Sequence, residues 1–598
     1  MRKTIYSIGF LVIESVFSVG LFTSCGDQFQ EEYPWLIGKQ EEMDNSNEEG
    51  AGATDITVLE KELKGAIPFM INYSHEPTGT WAPHKYQYYR ANSIDNYAGY
   101  WTTTKSTFAF GGPLPTLYTF PNDYLGGPMD NQIFTQSYNA IHHATELGKP
   151  EWRAVALIIQ AYQGHEIVDF YGAAPFSDWR NLKRTPPLTY EKGEDIYNLI
   201  FDDLDEAIRI LKERQPSREE FAKIEDLTIK TLSNGDWRMW VKFANCIKMR
   251  MAMNMVKINP GTAQSKFEQA VTDEIGVLTD TDAKDIAYYQ EQNACALWRI
   301  GNEWHDIRLG ASFENILKRY NHPLLTRWFD TNAYPIKEKS TGIQAPIDVY
   351  GVRTGISMRN SNTTGKDKGG YGPFSTLSGE FKYMHQSFFK RTESIFLLAE
   401  AALRGWNALG RDAQSWYEAG IRLCFQENGI TDGTVIDEYL AQTAAKDIDY
   451  VDPYNNENNI AGRVKVGVKW DVSDSKEVML EKIITQKYIA NFPMSAEAWT
   501  TFRRTGYPRI FPVDVNNMKD QGVDTELQLR RIPIEETANN TLEIASLVQA
   551  LGQPNTGASR VFWDKQTETR GEQSPDYEFT LVIPVNFYSI KHLKHETI

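Results

Sequence analysis

Apolar positions recur at helical spacing in several parts of the chain. In EDIYNLIFDDLDEAIRILKE (194–213), Ile196, Ile200, Leu204, Ala207, Ile208 and Leu211 fall on one face and the acidic residues on the other. That pattern predicts an amphipathic helix. DWRMWVKFANCIKMRMAMNMVK (236–257) is strongly apolar and predicts a long helix whose methionines fill core. TESIFLLAEAALRGW (392–406) and AQSWYEAGIRLCFQ (413–426) predict a second pair, separated by a turn around Gly405 and Gly410. Helices with Ala, Gly and aromatic residues at their contact positions suggest tetratricopeptide-like packing, because small residues let neighbours approach closely. The fold class expected is therefore mainly α: a tetratricopeptide-like helical-repeat scaffold with a large loop-rich region. Residues 74–128 and 321–390 supply those loops, being rich in Gly, Pro, Asn, Ser, Thr and aromatics. Loops this long on a rigid scaffold usually carry function.

The N-terminus follows a different pattern. Arg2 and Lys3 precede a mostly apolar run over residues 4–23, interrupted by Glu14. A carboxylate in the middle of a membrane span is costly, so the run reads as a secretory signal. Phe22-Thr23-Ser24 before Cys25 lies close to a bacterial lipobox, which makes Cys25 the expected lipid anchor. The competing reading is ordinary signal cleavage, with Cys25 a bystander. KQEEMDNSNEEGAGATD (39–55) is acidic and nearly free of large apolar residues, so it reads as a solvated tether. The organisation expected is a lipoprotein signal over 1–24, a lipid-anchored tether over 25–56 and one helical body over 57–598. No other stretch of the sequence is long and apolar enough to span a bilayer.

Composition narrows the function. The formal net charge is −17 and no basic run occurs, which argues against nucleic acid. Aromatics reach 12%, enough to suggest exposed aromatic surface as well as core. Cys25, Cys246, Cys295 and Cys424 lack metal-ligand spacing. Once Cys25 is set aside an odd number remains, which argues against a disulfide framework. Cys246 and Cys424 fall within helical patterns and read as small buried hydrophobes.

Catalytic signatures are missing from the sequence. HEIVD (165–169) begins like a zinc motif but ends in Asp, and His142-His143 are adjacent and so point apart on a helix. Neither a nucleophile elbow nor a phosphate-binding loop occurs. Acidic pairs such as Asp202-Asp203 read as solvated helix faces rather than facing glycosidase carboxylates. No catalysis, metal or cofactor is expected.

AEAWTTFRRTGYPRI (496–510) places Trp499 and Phe502 on one helix face, with Arg503 and Arg504 offering fork donors to carboxylates or carbonyls. Gly506 and Pro508 then break the helix, so the stretch reads as a structural corner in preference to a ligand site. It also closely resembles a signature of the SusD/RagB family of nutrient-binding outer-membrane lipoproteins. VDFYGAAPFSD (168–178), the helices around 194–213, 236–257, 392–406 and 413–426, EKIITQKYIANF (481–492), LRRIPIEETANN (529–540) and VFWDK (561–565) resemble that family in order, from about Tyr86 to Lys565. NHPLLTRWFD (321–330) departs from the family's usual Asp-Pro-Arg-Leu, and the acidic tether replaces its early Asn-x-x-Pro. The resemblance implies four tetratricopeptide-like units capped by a ligand-binding region. It further implies a glycan or other nutrient as ligand and a TonB-dependent outer-membrane transporter as partner. The attachment expected is by the N-terminal lipid at the outer membrane, facing the cell exterior.

The family's binding residues lie on variable loops, so the candidates come from chemistry. Sugars present apolar C–H faces rimmed by hydroxyls, which suit flat aromatic platforms with polar groups at their edges. WAPHKYQYYRANSIDNYAGYW (81–101) offers Trp81, Tyr100 and Trp101 as platforms, with Arg90, Asn92 and Asp95 to read hydroxyls. LWRIGNEWHD (297–306) offers Trp298 and Trp304, with Asn302 at the edge. The competing reading makes the first stretch a helix burying Tyr89, Ile94 and Tyr97, and Trp304 core. Two further functions stay open: an anchored glycoside hydrolase, which needs two carboxylates facing across a cleft, and a helical-repeat adaptor for protein segments.

Overall fold

The computed structural model describes residues 55–71, 86–104, 114–120, 131–230, 232–288, 294–356 and 370–565. The chain divides by its contacts into Met1–Val58 and Leu59–Ile598, and the fold below is that of the second unit. Cys25, Trp81 and the signal and tether segments before residue 55 lie outside the described residues.

The second unit is mainly helical. Its principal helices are α1 (Asn131–Glu146), α2 (Pro150–Tyr171), α3 (Gly193–Arg214), α4 (Arg238–Asn254), α5 (Pro260–Val271), α6 (Arg391–Arg404), α7 (Ala413–Glu427), α8 (Lys476–Ala490), α9 (Ser495–Thr505) and α10 (Thr541–Leu551). Successive helices pack as neighbours: α1 on α2, α2 on α3, α3 on α4, and α4 on α5. A second stack is formed by α6, α7 and α8, and α4 also meets α6. This is the packing of a tetratricopeptide-like scaffold, each helical hairpin burying its apolar face on the next. Close approach is visible between α6 and α7, where a Cβ on Gly420 would stand 2.7 Å from the Phe396 ring.

The amphipathic prediction for α3 holds: Ile196, Ile200, Leu204, Ala207, Ile208 and Leu211 are all buried. One correction concerns its acidic face. Asp202 is exposed, but Asp203 is buried and accepts two bonds from Arg180, at 2.7 and 2.5 Å. In α4, Met249, Met251 and Met253 are core, as their pattern predicts.

Helix α2 is buried continuously from Ala154 to Tyr171. A helix buried all round must satisfy its polar side chains internally. Glu166 accepts from Arg90 at 2.6 Å, and Asp169 from Tyr197 at 2.5 Å and Trp563 at 2.7 Å. Burial pushes the Asp169 carboxyl up to about 7 against those two donors and the nearby Arg503. Helix α9 supplies the corner read from the sequence. Trp499 and Phe502 are buried, Arg503 donates to the carbonyls of Asp169 and Arg530 at 2.6 and 3.0 Å, and Arg504 forks onto Glu400 at 2.6 and 2.8 Å.

Sheet structure is minimal among the described residues. The strands are β1 (Trp101–Thr103), β2 (Ala173–Ala174), β3 (Glu191–Lys192), β4 (Ile286–Tyr288), β5 (Ile307–Leu309) and β6 (Gln386–Phe389). They pair antiparallel as β1–β5, β2–β3 and β4–β6. The first of these ladders positions the candidate site.

Candidate functional site

The two aromatic stretches read from the sequence are brought together by the β1–β5 ladder, in which Trp101 faces Leu309, Thr102 faces Arg308 and Thr103 faces Ile307. Each stretch enters the ladder through a wide π-helical turn, Gln87–Ile94 before β1 and Arg299–Glu303 before β5. Such turns recur at functional sites because they re-aim side chains that a regular helix would stagger. The side chains of Gln87 and Asp306 hydrogen-bond between the two stretches.

The first stretch forms the interior layer. Trp101 is 0% exposed and packs edge-on against Phe329 at 5.8 Å and tilted against Phe492 at 5.9 Å. Tyr100 is equally buried, stacks on Tyr488 at 4.4 Å and donates its hydroxyl to the Tyr488 carbonyl. Tyr488 returns the bond to the Ala98 carbonyl at 2.8 Å. Arg90 is committed to Glu166 and lies over the Phe170 ring at 5.4 Å. Asn92 is buried, its carbonyl taken by Thr116 at 2.9 Å. Asp95 is fully buried, and burial pushes its carboxyl up to about 6 against the Ser495 hydroxyl and Arg90.

These placements correct the expectation for five residues. Trp101, Tyr100, Arg90, Asn92 and Asp95 present no open face, because all five side chains are buried within the scaffold. The competing reading of this stretch fits better in part: Ile94 and Tyr97 are buried, although Tyr89 is only half-buried.

The second stretch forms the outer layer. Trp298, Asn302 and Trp304 are all half-buried. Trp298 closes a short helical turn, Ala296–Trp298, and donates its own backbone N–H to the capping Cys295 Sγ at 3.4 Å. Trp304 follows the wide turn and donates its backbone N–H to the Arg299 carbonyl at 2.9 Å. The turn is held from below by Arg308, whose guanidinium bonds the carbonyls of Gly301 at 3.0 Å and Gly372 at 2.7 Å. Asn302 uses its amide to bond the Leu377 carbonyl at 3.2 Å, so its donor is engaged in holding the loop.

Two residues missed by the sequence reading complete this surface. Lys382 places its ammonium 4.9 Å from the Trp298 ring centroid and 5.5 Å from that of Tyr383. Tyr383 is 48% exposed. Both follow the tight turn Gly379–Phe381, and the Cys295 N–H anchors the Lys382 carbonyl at 2.7 Å. Trp298 and Lys382 are far apart in sequence, and nothing local marks them as neighbours. The arrangement offers aromatic surface with a cation on its faces, a combination suited to stacking against sugar rings.

Elsewhere, an open groove of about 670 Å³ lies beside α10, lined by Ile534, Ile544, Val548, Pro554 and Asn555 among others, with no aromatic residue. Among the described residues no group of three or more His, Cys, Asp or Glu side chains is placed to hold a metal. His165 is buried and held neutral: burial and the Arg250 charge push it down to about 3. Cys246, Cys295 and Cys424 are free and buried. No helix among the described residues is long and apolar enough to cross a membrane.

Residues 45–564 match the family model described as SusD-like, the SusD and RagB outer membrane lipoproteins. Among solved structures, a chitin-binding SusD homologue from Flavobacterium johnsoniae is 30% identical, with a TM-score of 0.73 over 85% of this chain and 99% of that one. A SusD homologue from Bacteroides thetaiotaomicron is 26% identical, with a TM-score of 0.72 over 85% of this chain and 99% of its own. One from Bacteroides uniformis is 27% identical, with a TM-score of 0.70 and the same coverage, 85% and 99%. No curated protein matches the sequence.

Proposed function

The chain belongs to the SusD/RagB family of outer-membrane lipoproteins, and from that premise we propose that it captures a glycan at the cell surface and passes it to a TonB-dependent transporter without chemical change. The single observation carrying this reading is the half-buried Trp298 ring with Lys382 and Tyr383 around it. Aromatic faces held by a rigid turn stack on sugar rings at little conformational cost, and a surface that shallow releases its cargo. Trp304, half-buried on the same stretch, is a further candidate ring, and Asn302 holds the loop through the Leu377 carbonyl. The chitin-binding SusD homologue, 30% identical with 99% of its chain covered, supports a glycan as the ligand class.

In this reading the segment 1–24 is removed and Cys25 carries the acyl chains. Residues 25–56 tether the body 57–598 on the exterior face of the outer membrane. Two or more acyl chains anchor stably where one holds only marginally. An acidic tether repels an anionic surface and keeps the body extended away from it.

The test is calorimetric titration of the purified protein against a panel of oligosaccharides and peptides, with chromatography of the mixtures afterwards. Saturable binding to one glycan, with no new product, is expected. Peptide binding alone, or cleavage of the glycan, contradicts the reading.

A further inference from the structure

We propose that the ligand taken at the Trp298 surface is an acidic glycan, one carrying carboxylate or sulfate groups, and that Lys382 is the residue that selects it. This rests on the reading of that surface as a glycan platform and adds the ligand's charge to it.

The inference comes from how the cations nearby are used. Arg299 is paired with Glu303 at 2.8 Å, and Arg327 with Glu380 at 3.6 Å. For Lys382, by contrast, no carboxylate neutralises the ammonium among the described residues; its neighbours are the Trp298 and Tyr383 rings. The ammonium thus stands against aromatic surface that is partly open, Tyr383 being 48% exposed. Ring faces orient an ammonium without cancelling its charge, and all three of its N–H donors remain unclaimed by carboxylates.

The backbone holds that geometry. The Cys295 N–H binds the Lys382 carbonyl at 2.7 Å, and the Lys382 N–H binds the Gly379 carbonyl at 3.2 Å. The Lys382 backbone is thereby pinned beside the short turn that carries Trp298.

A neutral sugar stacked on Trp298 would strip water from this ammonium and return only neutral hydrogen bonds. A uronate or sulfated ring presents an apolar C–H face together with an anionic group at its edge, which matches an aromatic face with an ammonium beside it. The resulting charge-assisted bond is roughly twice as strong as a neutral one. Against the overall negative charge of the chain, this local positive spot also sets where an anionic ligand can approach.

The experiment titrates the full chain and Lys382→Gln, Lys382→Arg and Trp298→Ala variants with three probes of equal length. These are a galacturonic-acid oligosaccharide, a sulfated galactose oligosaccharide and a neutral chito-oligosaccharide. The wild type is expected to bind at least one acidic probe about tenfold or more tightly than the neutral one, and the acidic probe that binds identifies the anionic group. Binding of that probe should weaken as salt rises. Lys382→Gln should lose that preference and its salt dependence, while Lys382→Arg keeps both. If the neutral probe binds as tightly as the acidic ones, and Trp298→Ala abolishes it while Lys382→Gln does not, the inference falls but the glycan platform stands. If no probe binds, or if binding survives Trp298→Ala unchanged, the platform falls and the inference with it.

Discussion

Trp101 faces Leu309 across a two-stranded antiparallel ladder, which locks one aromatic stretch of the sequence directly behind the other. The ladder sorts the two stretches into different jobs. Trp101 and its neighbours are packing against Phe329, Phe492 and Tyr488, whereas Trp298 and Trp304 lie on the outer side with part of their surface open.

That division predicts opposite outcomes for two tryptophan truncations. Trp101→Ala empties a fully buried site and should cost about 3–5 kcal/mol of stability. Trp298→Ala removes a half-buried ring and should cost no more than ~1 kcal/mol. Chemical denaturation of the two variants measures both.

The ladder needs a close backbone crossing at its end. A Cβ on Gly310 would meet the Gly99 carbonyl oxygen at 2.3 Å, and one on Gly351 would meet the Gly310 backbone at 2.8 Å. Gly310→Ala should therefore force the first and second stretches apart. The expected result is a fall in melting temperature together with weakened glycan binding, since Trp298 loses its footing. Unchanged melting would show that the crossing can relax.

Arg503 ties α9 to the end of α2 through the Asp169 carbonyl and to residue 530, with its guanidinium 3.7 Å over the Trp499 ring. Lysine keeps the charge but has neither the fork nor the flat stacking face. Arg503→Lys should cost about 2–4 kcal/mol, read from denaturation midpoints, because charge-assisted bonds to buried carbonyls are lost.

Glu400 predicts an acid limb in the stability profile. Burial alone would raise its carboxyl, but the Arg504 and Arg404 guanidiniums outweigh it and hold the group at about 2, below its ordinary 4.5. The unfolded chain then takes up the proton first as pH falls. The stabilisation is fully present above pH 4.5 and is lost between there and about pH 2, roughly 3 kcal/mol in all. Glu400→Gln should lack that limb and start about 3–5 kcal/mol less stable, since it takes the shared carboxylate charge away from two buried guanidiniums.

Much of the scaffold was legible because its signal is local. The face of α3 could be read from Ile196 to Leu211, since one side meets the core and the other meets water. The Arg503–Arg504 corner was legible from donor chemistry alone. Helix α2 was not, because a segment buried on every side shows no alternation to read. Asp203 was misplaced for a related reason: the half-buried Arg180 that pairs with it comes from another element. The site was half legible. Aromatic density marked both stretches, but composition cannot distinguish a platform from a core, and only the ladder between Trp101 and Leu309 separates them. Lys382 and Tyr383 were beyond reach, since their relation to Trp298 exists only in three dimensions.

The most direct measurement of the account's central claim is a paired titration of Trp298→Ala and Trp101→Phe with whichever glycan the wild type binds. The account predicts that Trp298→Ala loses about 2 kcal/mol, about 30-fold in affinity, with its fold intact. It predicts that Trp101→Phe binds like the wild type despite a lower melting temperature. Wild-type affinity in Trp298→Ala, with binding lost in a folded Trp101→Phe, would contradict it and place the ligand on the inner side of the ladder.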